Sequence, residues 1–350
     1  MNLDIDAGKN SGGRASISGD AGRPLLIVTI GPNSLDHAEA IENAGADRFR
    51  INGSHLSTDD LARQVKRLQS TTRLPIVVDL QGAKIRLGNF SSRQLHTGDT
   101  VTLSLDDHRI HREPVDGDYV GDGDGEDIPL PHPEVFRQAR PGDTLSCDDD
   151  RVRVRVDAVS DDKLTATSLC DAILKSRKGV NVVEHPIILS NLSTVDAEQV
   201  RMVSFCPVTF AYSFMLDGQE ASWLRDHAAN SQVIGKIERR EAITNIEKIA
   251  SMVHEIWICR GDLGAQLGFG DMARWISRFE PRCLSVPVYM AGQVLEHLTN
   301  HKHPTRSEVC HLRDLIHRGY AGIVLSDETA IGDDPVNATT VAAQLLRDLV

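Results

Sequence analysis

The sequence predicts an α/β protein, a (β/α)8 barrel of the TIM type with an all-β lid domain inserted after its third strand. Two observations lead to this prediction. Short apolar runs typical of buried parallel strands alternate with stretches in which the apolar residues have helical spacing. The alternation stops over residues 88–183 and then resumes, which leaves eight candidate strands for one barrel and a separate inserted segment.

The first part of the barrel is expected to follow a polar arm. Residues 1–22 are rich in Gly and Ser and carry too little apolar surface to pack, so we predict that they are disordered. Strands are then predicted over Leu25–Ile30, 47–52 and Ile76–Leu80, and helices over 35–44 and 61–68. Gly45, directly after the first of these helices, is a typical helix end.

The inserted segment, residues 88–183, has no helical periodicity. Alternating runs such as DTVTLSL and DRVRVRV are separated by Gly and Asp, which is the pattern of short strands joined by turns. Near the end of the segment, Lys175, Arg177 and Lys178 form the most basic local patch of the chain. This patch is either a solvated hinge or a phosphate clamp that closes over the barrel mouth.

The second part of the barrel restores the alternation. Strands are predicted over 208–213, Val233–Ile237, 256–259, Val288–Ala291 and 322–326, and helices over 242–252 and 336–349. Together with the first three, these strands number eight, which closes a parallel barrel. The barrel domain is therefore predicted to combine residues 23–87 with residues 184–350.

Three charged residues follow two neighbouring predicted strands. Lys236 and Glu238 stand at the end of one apolar run, and Asp262 follows the next. Because the carboxyl ends of parallel barrel strands share one rim, we expect the three side chains to meet there. Two carboxylates suit a hard cation such as Mg²⁺, and the Lys would face an anion bound to that cation. The alternative is a surface salt bridge between neighbouring turns.

The composition argues against some classes of partner. With 38 basic and 50 acidic side chains, the net charge of −12 disfavours nucleic acid or an anionic membrane surface as the main partner. The six Cys show no paired spacing of the zinc or disulfide kind, and no apolar run has the length needed to span a bilayer. A soluble cytoplasmic protein with reduced thiols is therefore expected.

A set of sequence motifs resembles the pyruvate kinase family. The motifs are VTIGPNS, FRINGSH, VVDLQGAKIR, KSRKGVN, GKIERRE, CRGDLG, HPTRSE and LSDETA; they stand in the family's order between Leu26 and Val336. The resemblance implies a barrel with an inserted lid. It also implies phosphoryl transfer between phosphoenolpyruvate, or a related enol or acid phosphate, and a nucleotide, with Mg²⁺ (or Mn²⁺) and K⁺ as cofactors.

The resemblance implies a role for each residue that matches a family motif. Lys236 and Arg50 would be catalytic, through contact with the transferring phosphoryl group. Mg²⁺ would be held by Glu238 and Asp262, and K⁺ by Asn52, Ser54, Asp79 and the backbone carbonyl of Leu80. The nucleotide would contact His55, Arg86 and Lys178, and the small phosphorylated acid would lie against Gly261, Asp262 and Gly292.

Departures from the family motifs leave the acceptor open. Gly292 stands where the family has a Thr beside the substrate acid, so Gly292→Thr is expected to improve turnover of phosphoenolpyruvate. The family's C-terminal domain has no counterpart after the eighth helix, so sugar-phosphate activation through that domain is not expected, and any homo-oligomer would form through the barrel. The alternatives are a relative that acts on a bulkier acceptor, aldol or decarboxylase chemistry on an Mg²⁺-bound enolate, and a partner-binding pseudoenzyme. The presence of Arg50, Arg86, Lys236, Glu238 and Asp262 argues against the pseudoenzyme.

Overall fold

The computed structural model describes residues 23–105, 127–148 and 150–349 of the chain. The arm predicted over residues 1–22 lies outside the described residues. The described part begins with β1 (Leu25–Ile30), α1 (Ala38–Ala44), β2 (Arg48–Asn52), α2 (Thr58–Thr71) and β3 (Ile76–Leu80). These elements form the first strand and helix pairs of the barrel.

The segment after β3 is built mainly from strands. Its elements are β4 (Arg93–Leu95), β5 (Thr100–Ser104), β6 (Ile128–Pro129), α3 (Pro133–Gln138), β7 (Thr144–Cys147), β8 (Val152–Val159), β9 (Lys163–Ser168), β10 (Ala172–Leu174) and β11 (Val180–Val182). Six strands form one sheet in the order β11-β7-β8-β9-β5-β6, and β4 pairs with β10. The short helix α3 was not expected from the sequence; it begins at Pro133, because Pro is well tolerated in the first helical turn.

The barrel then continues to the end of the described chain. Its remaining strands are β12 (Val208–Tyr212), β13 (Val233–Ile237), β14 (Glu255–Cys259), β15 (Val288–Ala291) and β16 (Gly322–Leu325). Its helices are α4 (Thr194–Val203), α5 (Glu220–His227), α6 (Arg240–Thr244), α7 (Ile246–Met252), α8 (Arg260–Leu267), α9 (Phe269–Arg278), α10 (Arg306–Arg318), α11 (Asp327–Ala330) and α12 (Pro335–Asp348).

Eight parallel strands close the barrel, in the ring order β1-β2-β3-β12-β13-β14-β15-β16. The predicted (β/α)8 fold is confirmed, and each barrel strand lies within one residue of its predicted bounds. The single helix predicted over 242–252 is wrong. The chain forms α6 and α7 instead, because Asn245 interrupts the helix and its side-chain amide donates to the carbonyl of Leu216 at 3.0 Å.

The buried apolar residues form distinct clusters. The largest packs the outer face of the barrel against its helices, and a small one that includes Trp257 and Tyr289 fills the barrel interior. A further cluster lies within residues 85–189, with Leu145, Val154 and Leu164 among its members. The domain limits at residues 88 and 183 stay a prediction. Among the described residues, every helix is too short or too polar to cross a bilayer.

Candidate active site

A pocket of about 240 Å³ lies at the carboxyl ends of the barrel strands. In parallel barrels, the loops after the strands converge at this end and carry the reactive groups. Ten residues singled out from the sequence line the pocket: Arg50, Asn52, Ser54, His55, Arg86, Lys236, Glu238, Gly261, Asp262 and Gly292. Asp79 lies directly behind the wall, in contact with two of these residues, whereas the side chain of Lys178 is not part of the lining.

The buried carboxylate of Asp79 holds two cations together. The Nζ atom of Lys236 lies 3.1 and 3.0 Å from its two oxygens, and the Nη2 atom of Arg50 lies 2.6 Å from Oδ2. Ser213 accepts a third hydrogen bond from Lys236 at 2.8 Å. Burial alone would lower the pKa of Lys236, but the charges of Asp79 and Glu238 outweigh it and raise this pKa. Lys236 is therefore a fixed cation at neutral pH.

Two further carboxylates face the pocket beside this cluster. Glu238 Oε1 lies 3.1 Å from Lys236 Nζ, and Oε2 accepts the backbone N–H of Phe214 at 2.8 Å. Asp262 Oδ1 lies 2.5 Å from the Nζ atom of Lys84. Burial raises the pKa of Glu238; Lys236 opposes this rise, and the charge of Asp262 adds to it. A cation placed between Glu238 and Asp262 would relieve their repulsion.

The four residues matched to K⁺ ligands adjoin one another. Asn52 and Asp79 are direct neighbours on the adjacent strands β2 and β3. Asn52 Oδ1 accepts hydrogen bonds from the hydroxyl and the backbone N–H of Ser54, at 2.8 and 3.2 Å. The carbonyl of Leu80 accepts the hydroxyl of Ser213 at 2.7 Å. The oxygens of Asn52, Asp79 and Leu80 thus already accept hydrogen bonds from the protein itself.

Helix α8 begins directly after β14, and its first turn lines the pocket. The first N–H groups of a helix have no partner within the helix, and the residue before α8 provides no side-chain cap. Gly292 adopts a φ of +81°, and a Cβ atom there would stand 3.3 Å from the backbone N of Gly261. Arg260 fixes this arrangement by donating to the carbonyls of Gly292 and Gln293 at 2.7 and 2.6 Å. The helix start is therefore open to an anion.

The residues matched to nucleotide contacts occupy two places. His55 and Arg86 line the pocket. Burial lowers the pKa of His55, and the charges of Arg86 and Arg177 lower it further, so the imidazole is neutral at physiological pH. Lys178 belongs to the inserted segment and pairs with Asp148 at 2.8 Å. The basic environment of His55 suits an anionic ligand at this side of the pocket.

A comparison with protein families decides the relationship of the chain. The family model described as pyruvate kinase, barrel domain, matches residues 22–339. The chain belongs to the pyruvate kinase family. It is 32% identical to a pyruvate kinase of Agrobacterium vitis over 338 residues, which span 93% of this chain and 69% of that protein. It is also 30% identical to a pyruvate kinase of Methylorubrum extorquens, in a match that spans 93% of this chain and 69% of that protein. A pyruvate kinase of Thermococcus litoralis is 28% identical, over 92% of this chain and 68% of that protein.

Membership of the pyruvate kinase family supports a phosphotransferase of that kind.

Three residues of this site were not predicted from the sequence. Ser213 joins Lys236 to Asp79, and its position just after β12 could have revealed it. Lys84 pairs with Asp262 across 178 positions of sequence, which spacing cannot show. Trp257 belongs to a predicted barrel strand; it is buried, but it also lines the pocket.

Proposed function

We propose that the chain moves a phosphoryl group between phosphoenolpyruvate, or a related enol or acid phosphate, and a nucleotide. The observation that supports this most strongly is the pair of cations, Lys236 and Arg50, held on the buried carboxylate of Asp79. A transferring phosphoryl group spreads negative charge over its oxygens. Two cations that are already fixed in place stabilise this charge without reorganising when it develops.

Mg²⁺ fits the carboxylates of Glu238 and Asp262. Lys84 pairs with one oxygen of Asp262, so the metal would take the place of this ammonium or bind the other oxygen. Within residues 23–105, 127–148 and 150–349, no three His, Cys, Asp or Glu side chains are grouped so that they could hold a metal ion. Water and substrate oxygens would complete the coordination, as Mg²⁺ commonly prefers. When bound, the ion would supply positive charge to phosphoryl oxygens.

K⁺ has weaker support from its matched ligands. Asp79 already contacts two cations, and the oxygens of Asn52 and Leu80 accept hydrogen bonds from protein donors. A further cation beside this one carboxylate becomes favourable only when an anionic substrate adds negative charge. We therefore propose K⁺ as an activator of the substrate complex. The test compares turnover in K⁺ with turnover in tetramethylammonium at equal ionic strength.

The two ends of the acid substrate have separate places in this proposal. Its carboxylate would accept hydrogen bonds from the open N–H groups at the start of α8, next to Gly261. Its phosphoryl group would face Lys236 and Arg50, which line the same pocket. The nucleotide phosphates would lie toward His55 and Arg86, and Lys178 would reach them from the inserted segment. Closing that segment would exclude water from the transfer.

The first prediction tests this proposal through the metal carboxylates. Glu238→Gln or Asp262→Asn should lower formation of pyruvate from phosphoenolpyruvate and ADP by about 10²–10³-fold, because each removes one anionic ligand of the ion that would stabilise the phosphoryl charge. Asp271→Asn is the matched control, since this exposed carboxylate pairs with Arg274 on α9. Turnover is measured at saturating Mg²⁺, with circular dichroism to check folding. Near-parental turnover in both site variants would rule out the metal assignment.

A second candidate is an acceptor or enol phosphate larger than phosphoenolpyruvate. Gly292 adds no side chain to the pocket, and Trp257 is one of the lining residues; its indole N–H is buried and has no hydrogen-bond partner in the described part of the chain. A buried donor without a partner is costly, so a substrate oxygen that accepts this bond would be favoured. Turnover of phosphoenolpyruvate is therefore to be compared with turnover of phosphoenol acids that carry an oxygen-bearing group on C3.

A further inference from the structure

A second cleft, of about 350 Å³, lies between the barrel and the inserted segment. Residues 180–187, where the inserted segment returns to the barrel, form one wall, and the opposite wall has Phe214, Arg239, Arg240, Glu241 and Gln266. Gln266 Nε2 donates to Asn181 Oδ1 at 3.3 Å, so helix α8 and strand β11 are joined across this cleft. None of the roles assigned above uses these residues.

The cleft and the active-site pocket are built on the same segments, back to back. Neighbouring residues of three loops face opposite sides, and α8 contributes residues to both sides, about one turn apart. The pairs, with the pocket residue first, are Lys84 and Ile85, Ser213 and Phe214, Glu238 and Arg239, and Asp262 and Gln266. A ligand in the cleft would therefore touch the backbone that positions the proposed metal carboxylates.

Arg239 is a buried cation with unused donors. Only 6% of the residue is exposed, and its Nε atom donates to Glu241 at 3.0 Å. Its two Nη groups make no hydrogen bond to any of the described residues. These groups are not among the fully buried side-chain atoms that lack a partner, so they reach the open cleft, and the planar guanidinium matches a carboxylate or phosphate with two parallel hydrogen bonds. Such a ligand would satisfy the unused donors.

The other charged groups of the cleft leave room for an anion. Glu241 is engaged by Arg239, and Glu184 accepts the backbone N–H of Thr144 at 2.8 Å. His185 pairs with Asp143 at 3.0 Å. Arg240 is exposed at the cleft and adds a second guanidinium. The Nη groups of Arg239 and the guanidinium of Arg240 are therefore the donors of the cleft that none of its acidic side chains uses.

We infer that this cleft binds a small metabolite through a phosphate or carboxylate group held by Arg239. The ligand bridges residues 180–187 to the barrel and so fixes the inserted segment relative to the pocket. Because Arg239 directly follows Glu238, and the N–H of Phe214 holds Glu238, occupation of the cleft also adjusts that carboxylate. The site is regulatory, and its binding step does not depend on the proposed reaction.

The test measures local protection rather than turnover. The full chain is titrated with inorganic phosphate and, separately, with malonate, while amide hydrogen exchange of residues 180–187 is followed by mass spectrometry. Both anions should slow exchange there, and Arg239→Lys should raise the half-saturating concentration about tenfold or more, because Lys loses the bidentate contact. Arg240→Gln should raise it less. Arg201→Lys, at an exposed position on α4, is the matched control.

Lys236→Gln separates the cleft from the active site. This variant weakens anion binding in the pocket, and it should keep the protection of residues 180–187. A lower half-saturating concentration for phosphate than for malonate identifies a phosphorylated ligand, and the reverse identifies a carboxylate. The inference is overturned if neither anion slows exchange in the parental chain, if Arg239→Lys responds like the parent, or if protection disappears in Lys236→Gln.

Discussion

Asp79 shows how a single residue sets up the chemistry of this pocket. It is 1% exposed, and burial alone would raise its pKa, but Lys236 and Arg50 outweigh that effect and lower it. The carboxylate therefore stays ionised and keeps two cations at fixed positions beside Glu238. Removing one partner of such a buried network typically costs about 3–5 kcal/mol, because a charge is left uncompensated. Asp79 thus supports both the fold and the site.

The backbone conformation of Gly292 changes one expectation drawn from the sequence. Its φ of +81° is a conformation that a β-branched residue adopts only under strain, so Gly292→Thr is not a clean way to restore a hydroxyl. Gly292→Thr is therefore not expected to raise the turnover of phosphoenolpyruvate. The sequence could not reveal this, because the torsion depends on Arg260 holding the carbonyls of Gly292 and Gln293 from outside the loop.

The second prediction concerns Gly292→Ala. The substitution should destabilise the protein by about 1–2 kcal/mol, because the backbone at this position is left-handed, which an alanine adopts at a cost. The added methyl group would also crowd the N–H of Gly261. We also expect a higher KM for phosphoenolpyruvate. Gly270→Ala is the matched control, because a Cβ there meets only the tip of Arg274 at 3.8 Å. Thermal unfolding and steady-state kinetics measure both effects; equal stability of the two variants would refute the strain argument.

The third prediction concerns the indole N–H of Trp257. Trp257→Phe keeps an aromatic ring in the barrel interior but removes the donor, so it should barely change turnover of phosphoenolpyruvate. If the natural substrate has an oxygen-bearing group, kcat/KM for that substrate should fall about tenfold, the cost of one lost hydrogen bond in a buried site. Trp275→Phe on α9 is the control. An equal change for both substrates would assign Trp257 to packing alone.

At the scale of elements, the loop after β3 is fixed from two sides. Asp196 on α4 accepts the backbone N–H groups of Gln81 and Gly82 at 3.2 and 3.0 Å. His132, just before α3, accepts the backbone N–H of Arg86 at 3.1 Å. The barrel and the inserted segment thus jointly position the pocket residues Lys84 and Arg86. This joint control makes the loop sensitive to the protonation of His132.

The fourth prediction follows from that histidine. Burial, with a smaller effect of the Arg86 charge, lowers the pKa of His132 to about 4, from 6.5 in the unfolded chain. The unfolded state therefore binds this proton first, and the contribution to stability is complete above pH 6.5 and is lost as the pH falls toward 4. The loss should reach about 3 kcal/mol, from the size of the shift.

Urea unfolding of the parent and of His132→Gln at pH 7 and pH 4.5 measures this loss. Gln does not titrate and keeps an oxygen that accepts the Arg86 N–H, so other groups contribute equally in both proteins. The parent should lose about 2–3 kcal/mol more than the variant between the two pH values. Equal losses would show that protonation of His132 is not linked to folding.

The elements of the barrel were predictable for a physical reason. Buried parallel strands are continuous apolar runs, and Gly or polar turn residues end them, so β1 and β3 agree with their predicted bounds. The break at Asn245 was not predictable, because the amide that causes it bonds to Leu216 in another loop. Helix α3 has only six residues, too few for helical periodicity to appear in the sequence.

At the scale of the whole molecule, residues within a motif could be predicted from the sequence, whereas contacts between distant segments could not. Ten residues named from the sequence line one pocket, because each stands at the end of a barrel strand or in the segment that follows it. The contact of Lys84 with Asp262 arises only when distant parts of the barrel close on each other, and the cleft around Arg239 arises only when residues 180–187 lie against the barrel. The two connections between them pair with each other: Leu87 donates to the carbonyl of Lys178, and Val180 to that of Ile85.

The fifth prediction concerns Lys178, which lies on one of these two paired connections. Lys178 is 37% exposed and bonds only to Asp148 among the described residues, so its charge can turn toward nucleotide phosphates when the inserted segment closes. Lys178→Ala should weaken ADP binding about tenfold and leave phosphoenolpyruvate binding unchanged, since one charged hydrogen bond is lost on the nucleotide side alone. Lys163→Ala is the control, an exposed lysine of the same segment that pairs with Asp127. Calorimetric titration with each ligand measures both affinities. Unchanged ADP affinity in Lys178→Ala, or an equal loss for both ligands, would remove Lys178 from the nucleotide site.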